Sequence, residues 1–217
     1  MSSAERSTGI VLRTYPLSET SLIVRWLTPD FGRIDTAAKG ARRPKSPFRG
    51  KLDLFYEADF SFARSRRSEL HTLREVTLRE THPALREDMG RLQQASYCVA
   101  LVEQTTEKET PLPEVFTLLR DFLLHLAARA PRPRTVFAFE LKLLREQGLQ
   151  PDLTAGRLSP EAAGLVRDLT QSDWGQLDGL QASAASAAEI RQFLHGFLIY
   201  HLGRIPAGRA PAVSLES

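Results

Sequence analysis

Residues 21–28 read SLIVRWLT, Pro29-Asp30-Phe31-Gly32 follow, and Ile34-Asp35-Thr36-Ala37-Ala38-Lys39 come next. The first eight residues are apolar on both faces, as a strand enclosed in a closed barrel would be. Pro29 to Gly32 supply turn chemistry, with Gly32 free to take a positive φ. Residues 34–39 then read as a third strand, ended by Gly40. Upstream, residues 9–15 form a short β-branched strand that Pro16-Leu17-Ser18 terminates. Downstream, Leu52, Leu54, Tyr56, Ala58, Phe60 and Phe62 alternate with mostly polar residues, a period of two. Residues 70–81 give a fifth, weaker strand. Five strands with short turns in about 75 residues predict a small OB-type barrel, although an SH3-like barrel would read almost the same way.

From Pro83 the period changes. Leu85, Met89, Leu92, Ser96, Val99 and Val102 step by three and four, a helical face. Val115, Leu118, Leu119, Phe122 and Leu126 define a second helix between proline pairs. A third runs from about Thr135 to Gln147, with Gly148 just past its end. Ser159-Pro160 reads as an N-cap followed by proline at the first helical position. Ser186 and Glu189 read as a capping box opening a long last helix through Ile190, Phe193, Leu194 and Phe197. The fold class is therefore α+β: an N-terminal five-stranded barrel of OB or SH3-like type over residues 1–82, then an all-helical domain over 83–217.

Composition bounds the function. At 217 residues, 42% apolar and 25% charged, the chain is globular rather than disordered. No apolar run approaches the ~20 residues that span a bilayer, and the polar residues 1–6 lack the core of a secretory signal. One cysteine, Cys98, excludes an internal disulfide framework and fits a reducing compartment, so a soluble cytoplasmic protein is expected. Residues 1–82 hold 15 Lys/Arg against 10 Asp/Glu, a net of +5, whereas residues 83–217 hold 14 against 16, a net of −2. Such asymmetry suggests that the first half faces a polyanion.

The densest cationic stretch is residues 39–51. Lys39, Arg42, Arg43, Lys45, Arg49 and Lys51 fall there with no acid before the end of the stretch, and Gly and Pro hold it as a loop. Cations so close repel unless an anion relieves them, and phosphates are the usual partner. Phe48 within the loop could stack on a base. The residues also fit, less well, a solvated basic loop with Phe48 tucked into the barrel mouth. Arg33 lies near enough to join a phosphate track, which Arg13 or Arg25 could extend.

Enzyme signatures largely fail. No GxxxxGK[ST] cradles a triphosphate, and no GxSxG is present. Cys98 sits among apolar neighbours mid-helix and reads as core. The five histidines are scattered, and His195 and His201 do not share a helical face, so no metal or other cofactor is expected. Asp53, Glu57 and Asp59 fall on one face of the fourth strand and could hold Mg²⁺ in a nuclease, but a solvent-facing strand shows the same alternation. A helical adaptor with an incidental basic loop is the alternative from a different class.

Several segments resemble the RecO family in order and spacing: Gly9 to Thr14 (GIVLRT), Glu19 to Val24 (ETSLIV), Thr28 to Arg33 (TPDFGR) and Lys39 to Pro44 (KGARRP). Phe139 to Leu144 (FELKLL), Gly148 to Leu153 (GLQPDL) and Tyr200 to Arg204 (YHLGR) extend the resemblance over nearly the whole chain. It implies a DNA-binding OB-fold joined to a helical domain, without catalysis and without a membrane. It also implies a nucleoid-associated mediator that binds single-stranded DNA, anneals complementary strands and, with RecR, assists recombinase loading in the RecF pathway. Many members carry a CxxC…CxxC zinc module after the Gly-x-x-Pro-x-Leu segment. Here Leu153 runs through residues 154–158 to Ser159 without cysteine, so zinc is not carried over. The resemblance further implies that the helical domain takes the acidic, apolar-ended C-terminal tail of single-stranded-DNA-binding protein. Arg129, Arg132 and Arg134 form its densest basic cluster, although arginines at a helix C-terminus also stabilise the macrodipole without a ligand.

Overall fold

The computed structural model describes residues 4–153 and 156–214. Met1 to Ser3, on which part of the N-terminal reading rests, lie outside the described residues, as do Thr154 and Ala155 of the shortened segment. Contacts divide the chain into two compact units. One holds residues 4–82 with Thr106–Arg120; the other holds Pro83–Thr105 and the residues from Asp121 onward.

Five strands make the first unit: β1 Ala4–Pro16, β2 Leu22–Thr28, β3 Gly32–Ala38, β4 Glu57–Ala63 and β5 Leu70–Glu80. They close in the order β1-β2-β3-β5-β4. All pairs are antiparallel except β3 with β5, whose register runs Asp35↔Leu70, Thr36↔His71 and Ala37↔Thr72. The interior is filled by Val11, Val24, Trp26, Ile34, Ala58, Phe60, Phe62 and Leu73. Trp26 stacks on Phe60 with centroids 4.3 Å apart, and its indole N–H donates to Thr36 Oγ1 at 2.9 Å, which removes the cost of burying it. Gly32 does take a positive φ of 64°. It also has a second reason to be glycine, since an added Cβ would lie 1.8 Å from the Thr110 carbonyl oxygen.

The fourth strand begins later than its alternation implies. Leu52 and Leu54 precede it in a turn, and Phe55, at φ 68°, is buried with its N–H donating to Val11 O at 2.9 Å. Backbone pairing across this turn breaks the period of two, so Asp53 is not on the strand that carries Glu57 and Asp59.

The helices are α1 Ala84–Glu87, α2 Met89–Thr105, α3 Pro113–Ala128, α4 Pro133–Glu146, α5 Pro160–Gln171, α6 Ala184–Leu202 and α7 Arg209–Val213, with a 3-10 turn at Trp174–Gly179. The buried face of α2 differs from the apolar periodicity. Met89 is 68% exposed and Ser96 is exposed, whereas Gln94 and Tyr97 are buried. Polar partners explain the change. The Gln94 amide donates to the carbonyls of Arg132 and Ala212. The Tyr97 hydroxyl donates to Glu140 Oε1 at 2.6 Å. Arg209 completes this network with Nε 2.7 Å from Glu140 Oε1. Burial opposes its charge, but the Glu140 carboxylate outweighs that and raises the guanidinium pKa. Cys98 is fully buried, and burial pushes its thiol pKa well up.

Helix ends follow local chemistry. Gly148, at φ 70°, closes α4: its N–H donates to Arg145 O and that of Leu149 to Leu144 O, a Schellman pattern. Ser159 caps α5 through Ala162 N–H. The cap of α6 is Ser183, which accepts from Ser186 N–H; the Ser186 box therefore starts one turn too late. Glu189 is engaged elsewhere, accepting from the Ser159 N–H at 2.6 Å and hydroxyl at 2.7 Å.

Candidate nucleic-acid interface

Residues 39–51 form a chain of tight turns at the end of β3. The N–H groups of Arg43, Ser46, Arg49 and Lys51 donate to the carbonyls of Gly40, Arg43, Ser46 and Phe48, and Arg42 N–H donates to Thr20 O at 2.9 Å. Gly40 and Gly50 sit at φ 68° and 72°, where a side chain would be strained. Ala41 and Phe48 enter the barrel core and pin the loop.

This places the basic residues in two classes. Lys39, Arg42, Arg43 and Lys45 are exposed, and among the described residues their side chains pair with nothing. Arg49 is exposed but donates Nη1 to Pro44 O at 3.2 Å within the loop. Lys51 is half-buried and donates Nζ to Val76 O at 3.1 Å, so it caps a strand carbonyl. Arg33 also departs from the expected track: its Nη2 donates to Thr106 O at 2.7 Å. Phe48 is 7% exposed, a core anchor and not an open stacking surface, because a ring in the barrel mouth removes more apolar area from water. The aromatic beside the cations is instead the half-buried Tyr56. It lines a cavity of about 500 Å³ with Leu22, Leu52, Arg42, Arg43 and Arg49. Its place in the alternating run marked it as core, so nothing in the pattern separated it from Phe60.

Neighbouring charges are neutralised. Arg25 grips Asp35 at 2.8 and 3.1 Å and reaches the Tyr15 hydroxyl at 3.2 Å, so it does not extend the track. Burial raises the Asp35 pKa, but Arg25 and then Lys108 outweigh it and hold the carboxyl below its usual range. The three acids considered for Mg²⁺ do not converge. Asp53 caps Leu54 N–H at 2.8 Å, and Glu57 is buried, which raises its pKa. Asp59 is held by Arg79 at 2.8 Å and Thr8 at 2.6 Å. No group of three His, Cys, Asp or Glu among the described residues is placed to hold a metal ion.

In the second unit, Arg132 and Arg134 flank a groove of about 510 Å³ lined by Phe137, Leu165, Leu169 and Ile190. Arg132 is exposed, and Arg134 donates Nη1 to Leu180 O at 2.6 Å. Arg129 is not on this groove and sits 3.4 Å from Asp178.

Comparison with known proteins agrees with this architecture. Residues 1–82 match the family described as Recombination protein O N terminal, and residues 86–156 match Recombination protein O C terminal. DNA repair protein RecO of Anaeromyxobacter dehalogenans (strain 2CP-C) is 31% identical over 93% of this chain and 93% of its own length. The chain belongs to the RecO family of DNA repair proteins. RecO of Myxococcus xanthus (strain DK1622) is 29% identical over 90% of this chain and 91% of its own, and that of Bacillus pumilus (strain SAFR-032) is 28% identical over 92% and 80%. This RecO barrel is an OB-fold, and no described helix is long and apolar enough to cross a membrane.

Proposed function

We propose that the barrel of this RecO protein binds single-stranded DNA through phosphate neutralisation by Lys39, Arg42, Arg43, Lys45 and Arg49, with Tyr56 beside them. The observation that carries this reading is the group of exposed cations Lys39, Arg42, Arg43 and Lys45, without partners among the described residues, beside the exposed Arg49 on a loop pinned by Phe48 and Ala41. Fixed cations bind phosphate without first breaking internal ion pairs, and they lower the repulsion between two strands so that base pairing can proceed. The protein is a non-catalytic annealing mediator, which assists recombinase loading with RecR in the cytoplasm, at the nucleoid. The groove beside Arg132 and Arg134 takes the acidic, apolar-ended tail of single-stranded-DNA-binding protein, with apolar walls for the terminal side chain and arginines for carboxylates.

The test is oligonucleotide binding across a salt series, paired with strand annealing in the absence of nucleotide and metal. Arg42→Ala/Arg43→Ala weakens binding equally across sequences and makes the log–log salt slope shallower by about 1.4 units, ~0.7 per phosphate contact. Unchanged slope and affinity would remove the loop from the DNA site.

A further inference from the structure

A second set of cations lies on the turn between β4 and β5, residues 64–69, which read RSRRSE. Ser65 builds this turn. Its hydroxyl accepts from the N–H of Arg67 at 3.3 Å and of Ser68 at 3.2 Å, and its own N–H donates to His71 Nδ1 at 3.4 Å. A serine turn of this kind fixes the backbone and points the intervening side chains outward. Arg64 is engaged with Glu5 at 3.2 Å. Arg66 and Arg67 are exposed, as is Arg74 on β5, and among the described residues none of the three side chains has a partner.

The parallel pairing of β3 with β5 relates these residues to the basic loop. Its last pair is Ala37↔Thr72, and Lys39 and Arg74 each follow two residues beyond it, Lys39 already in the turn that ends β3. Strands rise ~3.3 Å per residue, so the start of β5 at Leu70 lies roughly 13 Å from Arg74 along this seam, with the turn just beyond it. That span suits the ~4–16 nucleotides that one OB-fold covers. Acids on the seam are only partly offset. Lys108 lies 2.8 Å from Glu69 and 3.4 Å from Asp35, and Glu75 accepts from Ser61 Oγ at 3.4 Å on the β4 side.

We infer that Arg66, Arg67 and Arg74 form a second phosphate-contact patch, and that single-stranded nucleic acid runs along the β3–β5 seam between this turn and the 39–51 loop. The inference rests on the reading of the barrel as a single-strand binder and adds the path and its far end. Patches at both ends of the seam hold one strand extended with its bases free to pair.

The test measures fluorescence anisotropy of oligothymidylates of about 6 and about 25 nucleotides across a salt series. The proteins are wild type, Arg42→Ala/Arg43→Ala, Arg66→Ala/Arg67→Ala/Arg74→Ala, and a triple variant with lysine at the last three positions. The triple alanine variant binds the long oligonucleotide more weakly, with a salt slope shallower by about 2 units. It binds the short one more weakly as well, because about six nucleotides of extended strand already reach from the loop to the turn. The lysine variant keeps the wild-type slope. Matching melting temperatures show that the exposed substitutions leave the fold intact. Wild-type slope and affinity in the triple alanine variant, beside a loss in Arg42→Ala/Arg43→Ala, would overturn the seam and leave the loop standing. Loss in the triple variant alone would remove the loop and with it the path between the two patches, which overturns the inference. Absence of oligonucleotide binding by the wild type would overturn both.

Discussion

Phe48 lies between Arg43 and Arg49, where an aromatic ring among cations suggests stacking on a base, yet its ring is in the barrel core with Ala41 and Phe60. The two roles give opposite outcomes for Phe48→Leu. An anchor replaced by a smaller apolar side chain costs about 1–2 kcal/mol of stability and leaves DNA affinity nearly unchanged. A stacking ring would instead lose ~1–3 kcal/mol of binding, roughly five- to 150-fold in Kd. Urea denaturation and oligonucleotide titration of the same variant separate them, and the structure predicts loss of stability without loss of binding. Arg33 and Lys51 teach the same lesson: each is a cation in the right stretch of chain whose charge a carbonyl, Thr106 O or Val76 O, has already engaged. Sequence distance to a basic loop does not reveal such a commitment.

At the scale of elements, strand and helix existence followed from period and breaker residues, while faces and ends did not always. The α2 face shifted because Gln94 and Tyr97 are buried through hydrogen bonds that an apolar period passes over. The start of α6 shifted because Ser183 and Ser186 both offer a capping hydroxyl within an alanine-rich run, and Ser183 takes the N-cap position. Ser183→Ala is therefore expected to lower stability by about 1 kcal/mol, with Ser183→Asp retaining it. Chemical denaturation of the full chain checks this, and a silent Ser183→Ala would return the helix start to Ser186.

At the scale of the molecule, the charge asymmetry between residues 1–82 and 83–217 fits the proposed division of labour between polyanion and protein partner. The second unit is net acidic, so capture of an acidic tail needs a local basic site, and Arg132 and Arg134 beside an apolar groove supply one. Arg132→Ala/Arg134→Ala is expected to weaken binding of the tail peptide by about 2–4 kcal/mol, two charge-assisted contacts, when followed by anisotropy. Arg129→Ala is expected to change it little, since that side chain sits by Asp178 away from the groove. Equal affinity in wild type and double variant would place the tail elsewhere.

The residues by themselves determined the barrel, the helical region that follows it and the basic loop, because strand period, turn glycines and charge density are local properties that a chain carries whatever it folds against. Tertiary structure alone decided which members of the loop are available. It set Phe48 in the core, tied Arg33 to a carbonyl 73 residues away, and paired β3 with β5 in parallel. Those outcomes depend on which distant donors, acceptors and apolar surfaces closure of the barrel brings together.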